Sequence, residues 1–186
     1  MTVEEIFSKL SAHMVKGLMI HSQMSEYYGF LGLKGYQECH KYHYFCENFN
    51  YRKLGEFYLS CYDKIIMEAP IENPHIIPET WFKYSKQDVN VNTRKSAIQA
   101  GMDKWIEWEK DTKKFYEQMY QELIKLDEVD SAYKLAEYIE DVSEELMKAK
   151  EKMIELVSTD YDIVMIMDRQ DEIYKKYKRK IKEICL

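Results

Sequence analysis

The chain has 186 residues, enough for one domain with a substantial core, and 46% of them are hydrophobic against 32% charged. Six glycines and three prolines are too few for the many turns of an all-β architecture. A formal charge of −6 argues against general nucleic-acid binding, which needs a basic excess. The four cysteines (Cys39, Cys46, Cys61, Cys185) include no C-x-x-C pair. The acidic start Met1-Thr2-Val3-Glu4-Glu5 has no signal-peptide character, and no stretch reaches the roughly 18 apolar residues of a membrane span. A cytoplasmic protein with free thiols is expected.

In chain order, the first predicted helix runs from about 3 to 28. Thr2 caps it, with Glu5 at capping-box spacing. Its apolar row, Val3, Phe7, Leu10, Met14, Gly17, His21, Met24, Tyr28, alternates steps of four and three, so His21 points where a Leu would be expected. Gly29, Gly32 and Gly35 mark a turn.

The second helix is predicted from about 36 to 68, with the row Tyr36, His40, His43, Glu47, Asn50, Leu54, Tyr58, Cys61, Ile65. Pro70, Pro74 and Pro78 open a connection from about 69 to 91. So long a connection is rare inside a compact domain unless it travels the length of a helix, which here lets the second and third helices run parallel.

The third helix, from about 92 or 93 to 126, carries Ile98, Met102, Trp105, Glu109, Thr112, Tyr116, Met119 and Leu123 on one face. The fourth, capped at Asp130 or Ser131 and ending near 157, shows an inward stripe of Leu135, Ile139, Val142, Leu146, Ala149 and Met153. Glu137, Glu140 and Glu144 fall on a neighbouring face, which reads as solvated. A fifth helix is predicted over about 161–184. Its basic run from Lys175 to Lys182 suits a helix C-terminus through the macrodipole, with a small anionic contact surface as the sharper alternative.

Helix, short turn, helix, long crossover, helix, short turn, helix is the connectivity of ferritin-like bundles. Over about 3–157 the chain resembles the ferritin and miniferritin superfamily, with the fifth helix in the usual C-terminal place. In that family helix one supplies a Glu, helix two an E-x-x-H, helix three a Glu, and helix four an E-x-x-H or Q/E-x-x-E. On this chain the helix-two motif falls on Glu47-Asn48-Phe49-Asn50, with Asn50 in the His place. Helix three matches at Trp108-Glu109-Lys110 and helix four at Glu137-Tyr138-Ile139-Glu140, while the helix-one position is Gly17. The chain is also loosely similar to short helical proteins of prophage regions.

The expected fold is therefore all-α: a single helical domain over 1–186, formed by a ferritin-like up-down four-helix bundle with a long crossover and an extra C-terminal helix. Because Gly17 and Asn50 depart from the pattern, the resemblance implies a bundle without an intact di-iron site. A non-enzymatic structural or interaction protein with no cofactor is the expected function.

The alternative is a displaced metal site for iron, manganese or zinc, of oxidase or storage type. His21 lies one turn beyond Gly17 and His43 one turn before Glu47, so His21, His43, Glu47 and Glu109 could converge, with Glu140 as a further candidate. Cys39, His43 and Cys46 fan outward from one helix and read as packing rather than a zinc site. Asp88-Val89-Asn90-Val91-Asn92 copies half a calcium loop but has Thr93 where Gly belongs and Gln99 where Glu belongs. There is no phosphate-binding loop, nucleophile elbow or H-E-x-x-H. Partners are expected to be a second copy of the chain, with a dimer favoured, and an unidentified protein.

Overall fold

A computed structural model describes residues 1–67, 69–71 and 89–184. It contains six helices among these residues: α1 Val3–Phe30, α2 Lys34–Tyr62, α3 Val91–Lys125, α4 Val129–Ser158, α5 Ile163–Asp168 and α6 Gln170–Ile184. Most of the expected crossover lies outside the described residues, including Ile76, Ile77, Trp81, Phe82 and Tyr84, the apolar residues expected to anchor it along the bundle.

The ends of the elements follow from local chemistry. Thr2 and Glu5 form the reciprocal capping box: the Glu5 amide donates to Thr2 Oγ1 (3.2 Å) and the Thr2 amide to Glu5 Oε2 (2.8 Å). The first turn is shorter than its glycines suggest. Gly29 stays helical, and the reversal is confined to three residues between Phe30 and Lys34, with Gly32 at φ +77°. The Gly32 amide donates to Gly29 O and the Leu33 amide to Tyr28 O, the two bonds of a Schellman closure. Leu31 and Leu33 are fully buried and pin that turn. Asp127 at φ +61° closes α3 in the same way, through Glu128 N to Leu123 O.

α2 stops at Tyr62, well short of 68, where Asp63 turns left-handed at φ +52°. α3 is capped by Asn90, whose Oδ1 accepts from the Thr93 amide at 3.0 Å, two residues ahead of the predicted start. The predicted fifth helix is two: Asp160 and Tyr161 have positive φ, and Arg169 separates α5 from α6.

Buried side chains reveal helix directions. One apolar block joins Ile6, Phe7, Leu10 and Met14 of α1 with Leu54 and Tyr58 of α2, Tyr116, Met119 and Leu123 of α3, and Ala132, Leu135 and Val142 of α4. The other joins Ile20 to Tyr28 of α1 with Tyr36 and Cys39, Ala97 to Trp108, and Ala149 and Leu156. Numbers rise together in α1 and α4 and fall together in α2 and α3, so the latter two run parallel. This is the up-down bundle that the crossover implies.

α6 lies along α2 in the same direction. Gln170 Oε1 accepts from the amides of Gly35 (2.8 Å) and Tyr36 (3.3 Å), satisfying two of the unpaired N–H groups that open α2. Gly35 is required there: a Cβ would stand 2.7 Å from the Gln170 carbonyl oxygen and 2.8 Å from Ile173 Cβ. Further along, Tyr177 is buried against Tyr42 and Cys39.

Candidate functional site: the mid-bundle polar layer

Between the two apolar blocks the inward rows turn polar, and this layer is the candidate site. α1 contributes Gly17 and His21, α2 His40, His43 and Glu47, α3 Glu109 and Thr112, and α4 Glu145. A pocket of about 410 Å³ opens beside it. Its walls come chiefly from α2 and α4, with His21, Glu109, Thr112 and Tyr116 at the back and Ile184 at the edge.

All four of His21, His43, Glu47 and Glu109 line this one pocket. Glu140 is exposed and does not line it, and Glu137 is likewise exposed. In their place α4 brings Glu145, with Asp141 and Glu144 nearer the mouth. Glu145 sits at the edge of the α4 apolar stripe, next to Leu146, and the stripe gives no hint that its carboxylate turns inward.

Hydrogen bonds link the layer only in part. His21 Nδ1 faces His40 Nδ1 at 3.2 Å, and His21 Nε2 lies 3.8 Å from Glu109 Oε1. Trp105 Nε1 donates to the same Glu109 oxygen at 2.9 Å. His43 Nδ1 stands 3.2 Å from Glu145 Oε2 without a hydrogen bond between them, and Lys148 donates to Glu145 Oε1 at 3.2 Å. The Nε2 atoms of His40 and His43 are buried with no hydrogen-bond partner. His13, outside the layer, pairs with Thr112 at 2.9 Å and stacks on Trp108 and Phe115.

Burial governs the charge states. It lowers His21 and His43 to about 3, with neighbouring cations or imidazoles adding to the effect, and pushes His40 well below its usual value. All three are therefore neutral at pH 7. The carboxyls move the other way. Burial, then repulsion from Glu145 and Asp141, raises Glu47 to about 8, and Glu109 rises well above its usual range for the same kind of reason. The layer thus holds neutral imidazoles beside carboxyls that resist ionisation, with Lys148 and Lys53 near the mouth.

The family's di-iron ligand set does not fit these residues. Gly17 offers no ligand, and the room for one is filled: a Cβ there would lie 3.1 Å from the Glu47 carboxyl and 3.2 Å from Trp108 Cζ2. Asn50, at the position where the resemblance implies a His, lines the pocket, and Glu137 and Glu140 of α4 are exposed. Among the described residues no group of three or more His, Cys, Asp or Glu side chains is placed to hold a metal ion. Cys39, Cys46 and Cys61 are free thiols. Cys39 is buried, with Tyr177 on its sulfur, and belongs to the packing between α2 and α6.

The fold is all-α and is that of the ferritin four-helix bundle. A ferritin of Archaeoglobus fulgidus, engineered into a closed form by site-directed mutagenesis, shares it with a TM-score of 0.75. The two chains are 16% identical, over 94% of this chain and 96% of that one. No family model matches the chain, and no curated protein does. No helix among the described residues is long and apolar enough to cross a membrane.

Proposed function

We propose that this protein is a non-enzymatic member of the ferritin-like architecture, a structural or interaction protein that uses the bundle without its di-iron chemistry. The observation that carries this reading is the Glu47 carboxyl packed onto the bare backbone of Gly17. The ligand layer has lost its helix-one member, and a helix-two carboxyl fills the gap. The test is aerobic Fe(II) oxidation by the full chain, followed by oxygen uptake. Oxidation no faster than in buffer is expected. Catalytic turnover with two bound irons would overturn the reading.

A second reading is favoured by the shared pocket of His21, His43, Glu47 and Glu109: a displaced site for a single iron, manganese or zinc ion. Its test is metal content after reconstitution, compared with His43→Ala; stoichiometric metal lost in the variant supports it.

The partner is proposed to be a second copy of the chain. Ile154 and Val157 of α4 and Val164 of α5 are exposed apolar side chains that a homodimer would cover. Light scattering on the purified chain decides between dimer and monomer. The free thiols fit the reducing environment of a cytoplasm.

A further inference from the structure

We infer that two copies of this chain associate through the outer flank of α4, which packs antiparallel on α4 of the second copy as a short left-handed coiled coil. The inference rests on the reading of a second copy as the partner, and assigns that partner a surface, an orientation and a register.

The pattern is a second stripe on α4, separate from the one that faces the core. Val129, Ala136, Ser143, Lys150 and Val157 recur every seven residues. Tyr133, Glu140, Met147 and Ile154 do the same between them, so the two rows take the a and d places of a heptad repeat. Val129, Tyr133, Met147, Ile154 and Val157 are each more than half exposed, so the described part of the chain leaves the stripe open. A repeat of seven drifts round a straight helix, and a left-handed supercoil with a second helix keeps it on one face.

The stripe complements itself only when reversed. A two-fold axis level with Glu145 sets Tyr133 against Val157 of the partner subunit and Ala136 against the partner's Ile154. It also sets Glu140 against the partner's Lys150 and Ser143 against the partner's Met147. In these layers the smallest residues meet large ones and the acid meets the base. Parallel pairing would instead oppose Glu140 to Glu140 and Lys150 to Lys150, two like-charge clashes. Lys134 is paired with Glu137, and Lys148 with Glu144, along α4 itself. Among the described residues neither Glu140 nor Lys150 has an ion-pair partner, although both are exposed. A charged layer inside such a seam lowers affinity and fixes the register.

The surface beside the stripe is shaped for the contact. Next to Ala136, the groove between α3 and α4 opens into a pocket of about 460 Å³ lined by Glu117, Tyr120, Gln121 and Ile139. The two-fold places the partner's Ile154 over Ala136, so that side chain enters the pocket. The Ser143 hydroxyl donates to the Ile139 carbonyl at 2.6 Å, so covering it leaves no polar group unsatisfied.

The experiment measures the mass of the full chain by sedimentation equilibrium, alongside zero-length carbodiimide cross-linking read by peptide mass spectrometry. A dimer carrying a Glu140–Lys150 amide is expected. Those residues stand about 15 Å apart along one helix, too far to react with each other, so the amide joins two copies. Glu140→Lys should weaken dimerisation about 10- to 100-fold by setting lysines face to face, and so should Lys150→Glu with its glutamates. Combining the two changes restores opposite charges and should restore the dimer. Both positions are exposed, so neither change disturbs the core. A dimer that Glu140→Lys leaves equally tight, or whose cross-links place the contact away from α4, overturns this proposal while the second-copy reading stands. A chain that stays monomeric at every concentration overturns both.

Discussion

Glu47→Gln preserves the shape of the side chain that fills the space beside Gly17 and removes its ability to ionise. In the unfolded chain this carboxyl loses its proton near 4.5, whereas in the folded chain it holds the proton to about 8. Between those values the folded state carries the extra proton, so the contribution of this one carboxyl to stability falls as pH rises from about 4.5 to about 8. At 1.36 kcal/mol per unit, a shift of that size corresponds to a ceiling of about 5 kcal/mol. Glu47 keeps some exposure at the pocket wall, and solvent screening reduces the expected effect to about 2 kcal/mol. Urea unfolding followed by far-UV circular dichroism at pH 5, 7 and 9 measures it. The Gln variant should gain about 2 kcal/mol on the wild type between pH 5 and pH 9, with little difference at pH 5. Parallel pH profiles for the two proteins would refute the claim that folding holds this carboxyl protonated.

Three further outcomes are expected. Gly35→Ala should destabilise by about 1–3 kcal/mol, because the new methyl meets the Gln170 carbonyl and Ile173; limited proteolysis should then cut α6 first, and an unchanged urea midpoint would contradict the close approach. Below pH 6.5 the unfolded chain takes up protons that buried His21 and His43 refuse until about 3 and His13 until about 4, so stability should fall from pH 6.5 toward pH 4.5 despite the opposing carboxyls. Thermal melts across that range check the slope, and a rising melting temperature on acidification would be the wrong sign. Leu10→Ala, in the apolar block shared with Phe7 and Leu54, should cost about 2–5 kcal/mol in urea titrations, and an unchanged urea midpoint would contradict its close packing there.

Periodicity alone was enough to bring His21, His43, Glu47 and Glu109 to one layer, because each replaces an apolar residue in a regular four-and-three row. Gly17 was legible as a vacancy, but what fills it was not: the Glu47 carboxyl arrives from another helix, and no pattern within α1 encodes that. Glu145 escaped for a related reason. It neighbours Leu146 at the edge of the α4 stripe, and only the spacing between α2 and α4 decides whether such a residue faces water or His43. The break at Arg169 also lay beyond sequence reasoning. The amphipathic pattern runs through 161–184, while Gln170 is held by the start of α2, 135 residues away in sequence from Gly35. The crossover was legible as a length and a composition, since its prolines and apolar anchors need no tertiary information to be noticed.

The polar layer leaves the interior as two oily compartments with a wet-chemistry floor between them. Packing strain travels through contacting apolar atoms, so a misfit introduced in one compartment should have little leverage in the other. Leu10 and Ile98 sit in different blocks, and defects placed at both should add rather than compound. Such a partition lets lineages rewrite one half of the interior at a time, with each end of the rod free to drift at its own pace.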